Sequence, residues 1–331
     1  MLVLVTGGAG YIGSHTAKLL ASKGHDVVVL DNLDTGHEWA VRWGPLVVGD
    51  SGDREVVRAV LAAHQPDAVI HFAAHAYVGE SMLSPEKYFR NNLIATLNLL
   101  EVLVSDGTRP FVFSSSCATY GLPSQVPITE TENQEPVNPY GESKLMVEKA
   151  LKWYGAIHHL PWAALRYFNA AGADSEGELG EVHDPETHLI PRAIAAATGS
   201  AGPLGVFGSD YPTPDGTAIR DYVHVTDLAD AHLRALDLLV ESGESSALNL
   251  GTGLGHSVRE VVDAIEDTSG IPVPTVAEAR RAGDPPQLVA DPSKAREVLG
   301  WTPIHSDLGN IVATAWEWAN REPMGSQPEA R

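Results

Sequence analysis

Short apolar runs alternate with amphipathic stretches through the first half of the chain. Continuous apolar segments at 2–6, 27–30, 46–48, 68–72, 111–114 and 163–165 predict strands. The stretches between them, at 12–23, 54–64, 85–105 and 141–158, carry apolar residues on one helical face. Strands that are apolar on both faces and separated by helices predict a parallel sheet covered on both sides, an α/β, Rossmann-like doubly wound fold. After Asn169 the rhythm changes. Residues 172–186 are acidic, Gly-rich and aperiodic, and read as a long functional loop. Beyond them the elements shorten and are punctuated by Pro and Gly. A later apolar run at 247–250, followed by Gly-Thr-Gly, predicts a strand returning to the first sheet. The expected division is a first unit over 1–168 with that late strand, a smaller interleaved unit mainly over 169–321, and a polar, disordered tail at 322–331.

Composition narrows the setting. The 331 residues suffice for a sizeable core, and a 44% hydrophobic, 20% charged make-up is that of a soluble globular protein. The net charge of −21 argues against nucleic acid or an anionic membrane as partner. No apolar stretch is long enough to span a bilayer, and the N-terminus lacks the pattern of a signal peptide. Cys117 is the single cysteine, so no internal disulfide is possible, and a cytoplasmic protein is expected.

The first strand runs directly into Gly7-x-x-Gly10-Tyr11-Ile12-Gly13, which opens the first helix. Glycines here permit a tight turn and close approach of backbone to a pyrophosphate, which the helix N-terminus then favours. Asp31 ends the second strand, where a carboxylate can hold adenosine ribose hydroxyls, with Asn32 and Leu33 beside it. Residues 31–36 contain no Arg or Lys, so a 2′-phosphate would meet no counter-charge, and NAD is expected rather than NADP. Asp50 and Ser51 follow the third strand as candidates for the adenine edge, although turn chemistry explains Asp50 equally well.

Downstream, Tyr140 and Lys144 stand four residues apart in Pro139-Tyr-Gly-Glu-Ser-Lys144, on one face of a helix. An ammonium near a phenol favours the phenolate, so the expectation is a tyrosine with lowered pKa serving as proton acceptor.

These residues together resemble the extended short-chain dehydrogenase/reductase superfamily and, within it, the UDP-glucose 4-epimerase family. The likeness runs through residues 5–15, His71-Phe-Ala-Ala74, Ser114-Ser-Ser116, Tyr120-Gly121, residues 140–148, Arg166-Tyr-Phe-Asn169, residues 210–217, residues 220–224 and Arg281-Ala-Gly-Asp284. The resemblance implies that Tyr140 removes the 4-hydroxyl proton of a UDP-sugar while hydride passes to NAD, giving a 4-keto sugar that turns over and is reduced from its other face. Ser116 would hydrogen-bond the 4-oxygen, and Lys144 the nicotinamide ribose. Phe72, Ala73, Ala74, Asn91, Ser114 and Phe168 would line the NAD site. Asn169, Leu189, Val206, Phe207, Arg220, Arg281 and Asp284 would hold the UDP-sugar. A homodimer is implied through the helices at 85–105 and 141–158.

Related dehydratases and decarboxylases carry acids directly after the residue matching Ser116. Here Cys117 and Ala118 stand there, so the reaction is expected to stop at epimerisation. The family's phosphate-proximal lysine falls at Ala76, with His75 as the candidate to replace it, and a bulky tyrosine falls at Leu288, which would widen the pocket. Arg192 lies where many members have a neutral or aromatic residue. An arginine near a buried sugar needs an anionic partner. A C6 carboxylate would serve, so UDP-glucuronate/UDP-galacturonate is the expected pair, with UDP-glucose/UDP-galactose as the alternative. The bland reading has Arg192 point to solvent or pair with Glu181 or Asp184 instead. Another nucleotide-sugar oxidoreductase or lyase, or a non-catalytic NAD-binding protein, stays in competition. His158 with His159, and His183 with His188, lack ligand spacing with carboxylates on one helix face, so no metal is expected.

Overall fold

Side chains alternate across each strand, and here both faces are apolar. In β1 (Leu2–Thr6), Val3 and Val5 join one core and Leu4 the other. In β2 (Asp26–Asp31), Val27 and Val29 join the first, and Val28 and Leu30 the second. The helices Tyr11–Ser22 and Val225–Ser242 cover the first face. Helices Arg54–His64, Ala95–Asp106 and Pro139–His158 cover the second.

The computed structural model describes residues 1–321 except 282, so the tail predicted at 322–331 lies outside the described residues. With β3 (Leu46–Val48), β4 (Ala68–His71), β5 (Phe111–Ser116) and β6 (Trp162–Tyr167), the main sheet is seven-stranded. The seventh strand, Ser246–Leu250, pairs in parallel with β6 at the edge. From that edge inward the order is β6-β5-β4-β1-β2-β3, and every pairing is parallel. The chain steps outward from β1 to β3 and then returns to β4, so the order reverses between β1 and β4. Ligands of doubly wound sheets bind in the crevice at the carboxyl ends of strands flanking such a reversal.

The apolar pattern at 85–105 predicts one helix, and the structure breaks it. Pro85–Tyr88 is followed by a wide π-type turn over Phe89–Ile94 and then by Ala95–Asp106. The cause is polar. Within that turn the buried Asn92 accepts from His75 N at 2.9 Å and donates to His75 O at 3.0 Å and Ser143 Oγ at 3.1 Å. Satisfying those buried groups re-aims the turn, a common use of π-bulges near functional sites.

A smaller unit packs helices Leu189–Ala197, Val258–Ser269 and Leu308–Ala319 around their own core, with strand Leu204–Phe207 at its margin. Ser257 and Glu260 form a reciprocal capping box that starts the middle helix. Strand Asn169–Ala171, just after β6, pairs with Tyr222–His224 and carries the chain into this unit. Residues 172–188 between them hold no helix or strand. Among the described residues no helix is long and apolar enough to cross a membrane.

Candidate active site

At the β1–β4 crevice the glycine turn is closed by geometry. Gly7 has φ +71, and a Cβ on it would lie 2.4 Å from Ala73 N, so Phe72 and Ala73 press directly on the turn. The following helix starts at Gly10 with no side-chain cap, leaving the first N–H groups around Tyr11 and Ile12 open to an anion. Gly13 is fixed by packing, since a Cβ there would meet Gly7 O at 2.3 Å. Asp31 is buried, with Oδ2 accepting from Ala9 N and Oδ1 from Leu33 N, both at 2.9 Å. Each oxygen keeps a lone pair for a ribose hydroxyl. That turn holds Leu33 at φ +60, a conformation costing a side-chain-bearing residue about 1 kcal/mol or more.

Other expected cofactor residues divide. Ser51 is buried, whereas the exposed Asp50 accepts from Gly52 N at 2.7 Å, the turn role anticipated for it. Asn32 is also exposed. Asn91 is half-buried and donates to Asn92 Oδ1 at 3.1 Å. Tyr11 directs its hydroxyl to Gly172 O at 2.5 Å, tying the glycine turn to the 172–188 loop. His75 follows Phe72–Ala74 and is half-buried. Burial, then Lys87, holds its pKa below the usual histidine value. The uncapped helix start, the close glycine approach and the spare acceptors of Asp31 fit NAD.

The reactive groups meet where β5 ends. Ser116 is the last residue of β5, and Tyr140 and Lys144 lie in the first turns of the Pro139–His158 helix, which Asn138 caps by accepting from Gly141 N at 2.8 Å. All three are buried. Lys144 donates to Ser114 O at 2.7 Å and lies 4.9 Å from the Phe113 ring centroid. Its ammonium is 6.0 Å from the Tyr140 ring centroid.

The expectation of a lowered Tyr140 pKa is not met in the chain by itself. Burial pushes the phenol well up, Tyr167 adds to the rise, and Ser116 only partly opposes it. Burial likewise pushes Lys144 down to about 7, against the pull of Glu148. The missing ingredient is positive charge, which a lysine bonded to a backbone carbonyl in a dry pocket supplies weakly. Next to them Cys117 is a packed thiol pushed up to about 12 chiefly by burial, and offers neither acid nor base.

Two supports went unpredicted. Tyr167 meets Ser114 Oγ at 2.6 Å and stands close enough to affect Tyr140. Beneath β5, Glu148 accepts from Ser115 Oγ at 2.6 Å and Arg166 Nε at 2.9 Å, while Arg166 reaches Tyr120 OH at 2.8 Å and Tyr120 reaches Asn249 Oδ1 at 2.6 Å. This network locks the Tyr140 helix to β5, β6 and the Ser246–Leu250 strand. Arg166 and Tyr120 stood in recognised motifs, but nothing in their spacing announced a buried ion pair.

The second ligand end gathers around short strands of the smaller unit. Arg220 pairs with Asp284, and the Arg281 guanidinium lies 4.0 Å from the Phe207 ring centroid, beside Val206 on the Leu204–Phe207 strand. Asn169 donates its side-chain amide to Asp221 O at 3.0 Å, next to Arg220. Phe168 is buried with Cys117 and Tyr120, and Leu288 packs on that cluster. Leu189 begins the helix that carries Arg192, which is half-buried. Burial, then the mixed influence of Asp284, Arg192 and Arg220, leaves Arg281 below the usual arginine value. Arg192 thus shares the field of Arg220 and Arg281. Glu181 is engaged elsewhere: it lies with Glu186 beside His183 and His188, a grouping supplied by an irregular loop rather than by a helix face.

A doubly wound sheet, a glycine fingerprint and a buried Ser-Tyr-Lys constellation at the strand ends define an extended short-chain dehydrogenase/reductase. Residues 3–251 match the model of the NAD dependent epimerase/dehydratase family. The UDP-glucose 4-epimerase of Rhizobium meliloti (strain 1021) is 54% identical over 323 residues, covering 98% of each chain. The crystal structure of UDP-glucose 4-epimerase from Brucella ovis in complex with NAD superposes with a TM-score of 0.94 at 56% identity, covering 96% of this chain and 98% of that one. The Stenotrophomonas maltophila enzyme, with bound NAD and formylated UDP-arabinopyranose, gives 0.93 at 42% identity over 96% and 98%. The chain belongs to the UDP-glucose 4-epimerase family and is an NAD-dependent isomerase.

Proposed function

We propose that the protein inverts C4 of a UDP-hexose, interconverting UDP-glucose and UDP-galactose. The observation that carries this is the buried Ser116–Tyr140–Lys144 centre with no further acid or base at Cys117 and Ala118. Bound NAD supplies a hydride acceptor and, when oxidised, the positive charge that the pocket lacks. Ser116 holds the 4-oxygen, and Tyr140, with Lys144 and Tyr167 near it, takes the hydroxyl proton and returns it. Residues 1–168, with the strand at 246–250, serve the cofactor, and 169–321 serve mainly the UDP-sugar.

The neutral hexose replaces the uronate expected from Arg192. The relatives reported above are UDP-glucose 4-epimerases. An arginine needs an anionic partner, and Arg192 acts at Arg281, among the residues assigned to the diphosphate and ribose. The diphosphate meets that need without a sugar carboxylate. Leu288 in place of a bulkier residue leaves room at the sugar. A homodimer belongs to the same reading, supported by Trp153 and Ile157, 68% and 62% exposed one turn apart on the Pro139–His158 helix. A cytoplasmic setting agrees with the unpaired, buried Cys117.

The test is incubation of purified protein with UDP-glucose and, separately, UDP-glucuronate, following C4 configuration by NMR. Conversion of UDP-glucose to UDP-galactose without accumulating NADH is expected. Faster inversion of the uronate would restore the carboxylate reading.

A further inference from the structure

The 172–188 loop carries a group of His and Glu side chains that lies outside the Ser116–Tyr140–Lys144 centre. Glu181, His183, Glu186 and His188 place one ligand atom each within 4.8 Å of all the others. His183 Nδ1 is 3.2 Å from Glu181 Oε1 and 3.5 Å from Glu186 Oε2. His188 Nδ1 is 2.6 Å from Glu181 Oε1 and 3.2 Å from Glu186 Oε1. Four donors at about 2.0–2.1 Å around one tetrahedral ion stand about 3.3 Å from one another. Glu181 Oε1 faces both imidazoles near that separation, at 3.2 and 2.6 Å, and Glu186 turns Oε2 to His183 at 3.5 Å and Oε1 to His188 at 3.2 Å, so the four side chains already crowd the space one ion would take.

Direction adds a second observation. His183 Nδ1 is buried and makes no hydrogen bond despite two carboxylate oxygens within 3.5 Å. A buried unsatisfied nitrogen costs about 1–3 kcal/mol unless something fills its direction. The rest of the cluster is held in place. Glu186 Oε1 accepts from Thr187 N at 2.7 Å and His188 N at 2.8 Å, and Glu181 O accepts from Trp318 Nε1 at 3.2 Å. Tyr11 and Tyr77 stand edge-on to His183, with ring centroids at 6.5 and 5.8 Å.

We propose that Glu181, His183, Glu186 and His188 form a structural binding site for a divalent transition-metal ion of the zinc class. Two imidazoles and two carboxylates suit zinc, whereas magnesium and calcium prefer oxygen alone. Four protein ligands leave no open position, which makes the site structural and not hydrolytic. Two neutral imidazoles and two carboxylates also balance a dication. The ion would fasten the loop immediately before the helix that carries Leu189 and Arg192. The same loop is tied to the cofactor turn through Tyr11 and Gly172.

The experiment uses untagged full-length protein with its bound cofactor. The protein is dialysed against a chelator, then against zinc chloride, desalted, and analysed for metal. One zinc per chain is expected. Cobalt(II) in its place should give the intense visible bands of a tetrahedral site. His183→Gln and His188→Gln should each bind zinc at least tenfold more weakly while keeping wild-type NAD content, and His158→Gln should bind as wild type does. Wild-type protein that retains no zinc, or gives only the weak spectrum of octahedral cobalt, overturns the proposal without recourse to a variant. Zinc held equally by His183→Gln also overturns it, as an adventitious ion only.

Discussion

Replacing Glu148 by glutamine keeps the shape of the side chain and removes its charge. Glu148 is fully buried, and its partner Arg166 is 3% exposed. The carboxylate accepts from Ser115 Oγ at 2.6 Å, Arg166 Nε at 2.9 Å and Gln134 Nε2 at 3.1 Å, with a further contact to Arg166 Nη2. Burial alone would lower the Arg166 pKa, but its bonds to Glu148 hold it above the usual value. In the variant the guanidinium stays buried without a counter-charge, a situation that costs about 3–5 kcal/mol. That is a large fraction of a typical total stability of about 5–15 kcal/mol. Urea unfolding of Glu148→Gln should therefore show a loss of about 3–5 kcal/mol. Glu148→Leu combined with Arg166→Met should lose far less than the two single changes summed, because no charge is left stranded. Turnover should fall with stability, since Ser115 adjoins Ser116 and the helix bearing Glu148 also bears Tyr140. A loss below about 1 kcal/mol for Glu148→Gln would refute the claim that this pair locks the catalytic helix.

Lys144 gives a pH test on cofactor-free protein. Burial sets its pKa near about 7 in the folded chain, against 10.5 ordinarily. Below about pH 7 both folded and unfolded chains carry the proton and the burial penalty is full; between about 7 and 10.5 only the unfolded chain does, so stability should rise with pH. Lys144→Met should abolish that rise in urea unfolding, and an unchanged slope would contradict the assignment. Arg192→Leu should raise KM for UDP-glucose several-fold and weaken UDP binding in parallel by calorimetry. A loss confined to UDP-glucuronate would return Arg192 to the sugar. Trp153→Glu should convert a dimer to a monomer by light scattering, and a wild-type monomer would remove that interface.

How far the chain could be read without coordinates depended on the range of the interactions. The strands were legible because both faces of the sheet are buried, so Val3, Leu4 and Val5 all had to be apolar. The cofactor turn was legible because Gly7 and Gly13 answer to local backbone crowding. The break at Phe89–Ile94 was not, because it is set by Asn92 reaching His75 and Ser143, 17 and 51 residues away. Spacing placed Tyr140 and Lys144 together but said nothing of burial, which reverses the expected direction of the Tyr140 pKa. Arg192 was read as needing an anion near the sugar. Sequence distance hides that it stands close enough to Arg281 to lower that residue's pKa. His183 and His188 were judged by helix spacing, whereas an irregular loop brings them to Glu181 and Glu186.

In the proposed reaction a hydride leaves C4 and returns to the same carbon, with a proton taken and given back by Tyr140. UDP-glucose deuterated at C4, incubated with the enzyme in ordinary water and analysed by mass spectrometry and NMR, tests this directly. The prediction is UDP-galactose with its deuterium retained at C4 and no net change in NADH. Deuterium lost to solvent, or inversion that proceeds at the wild-type rate in Tyr140→Phe, would contradict it.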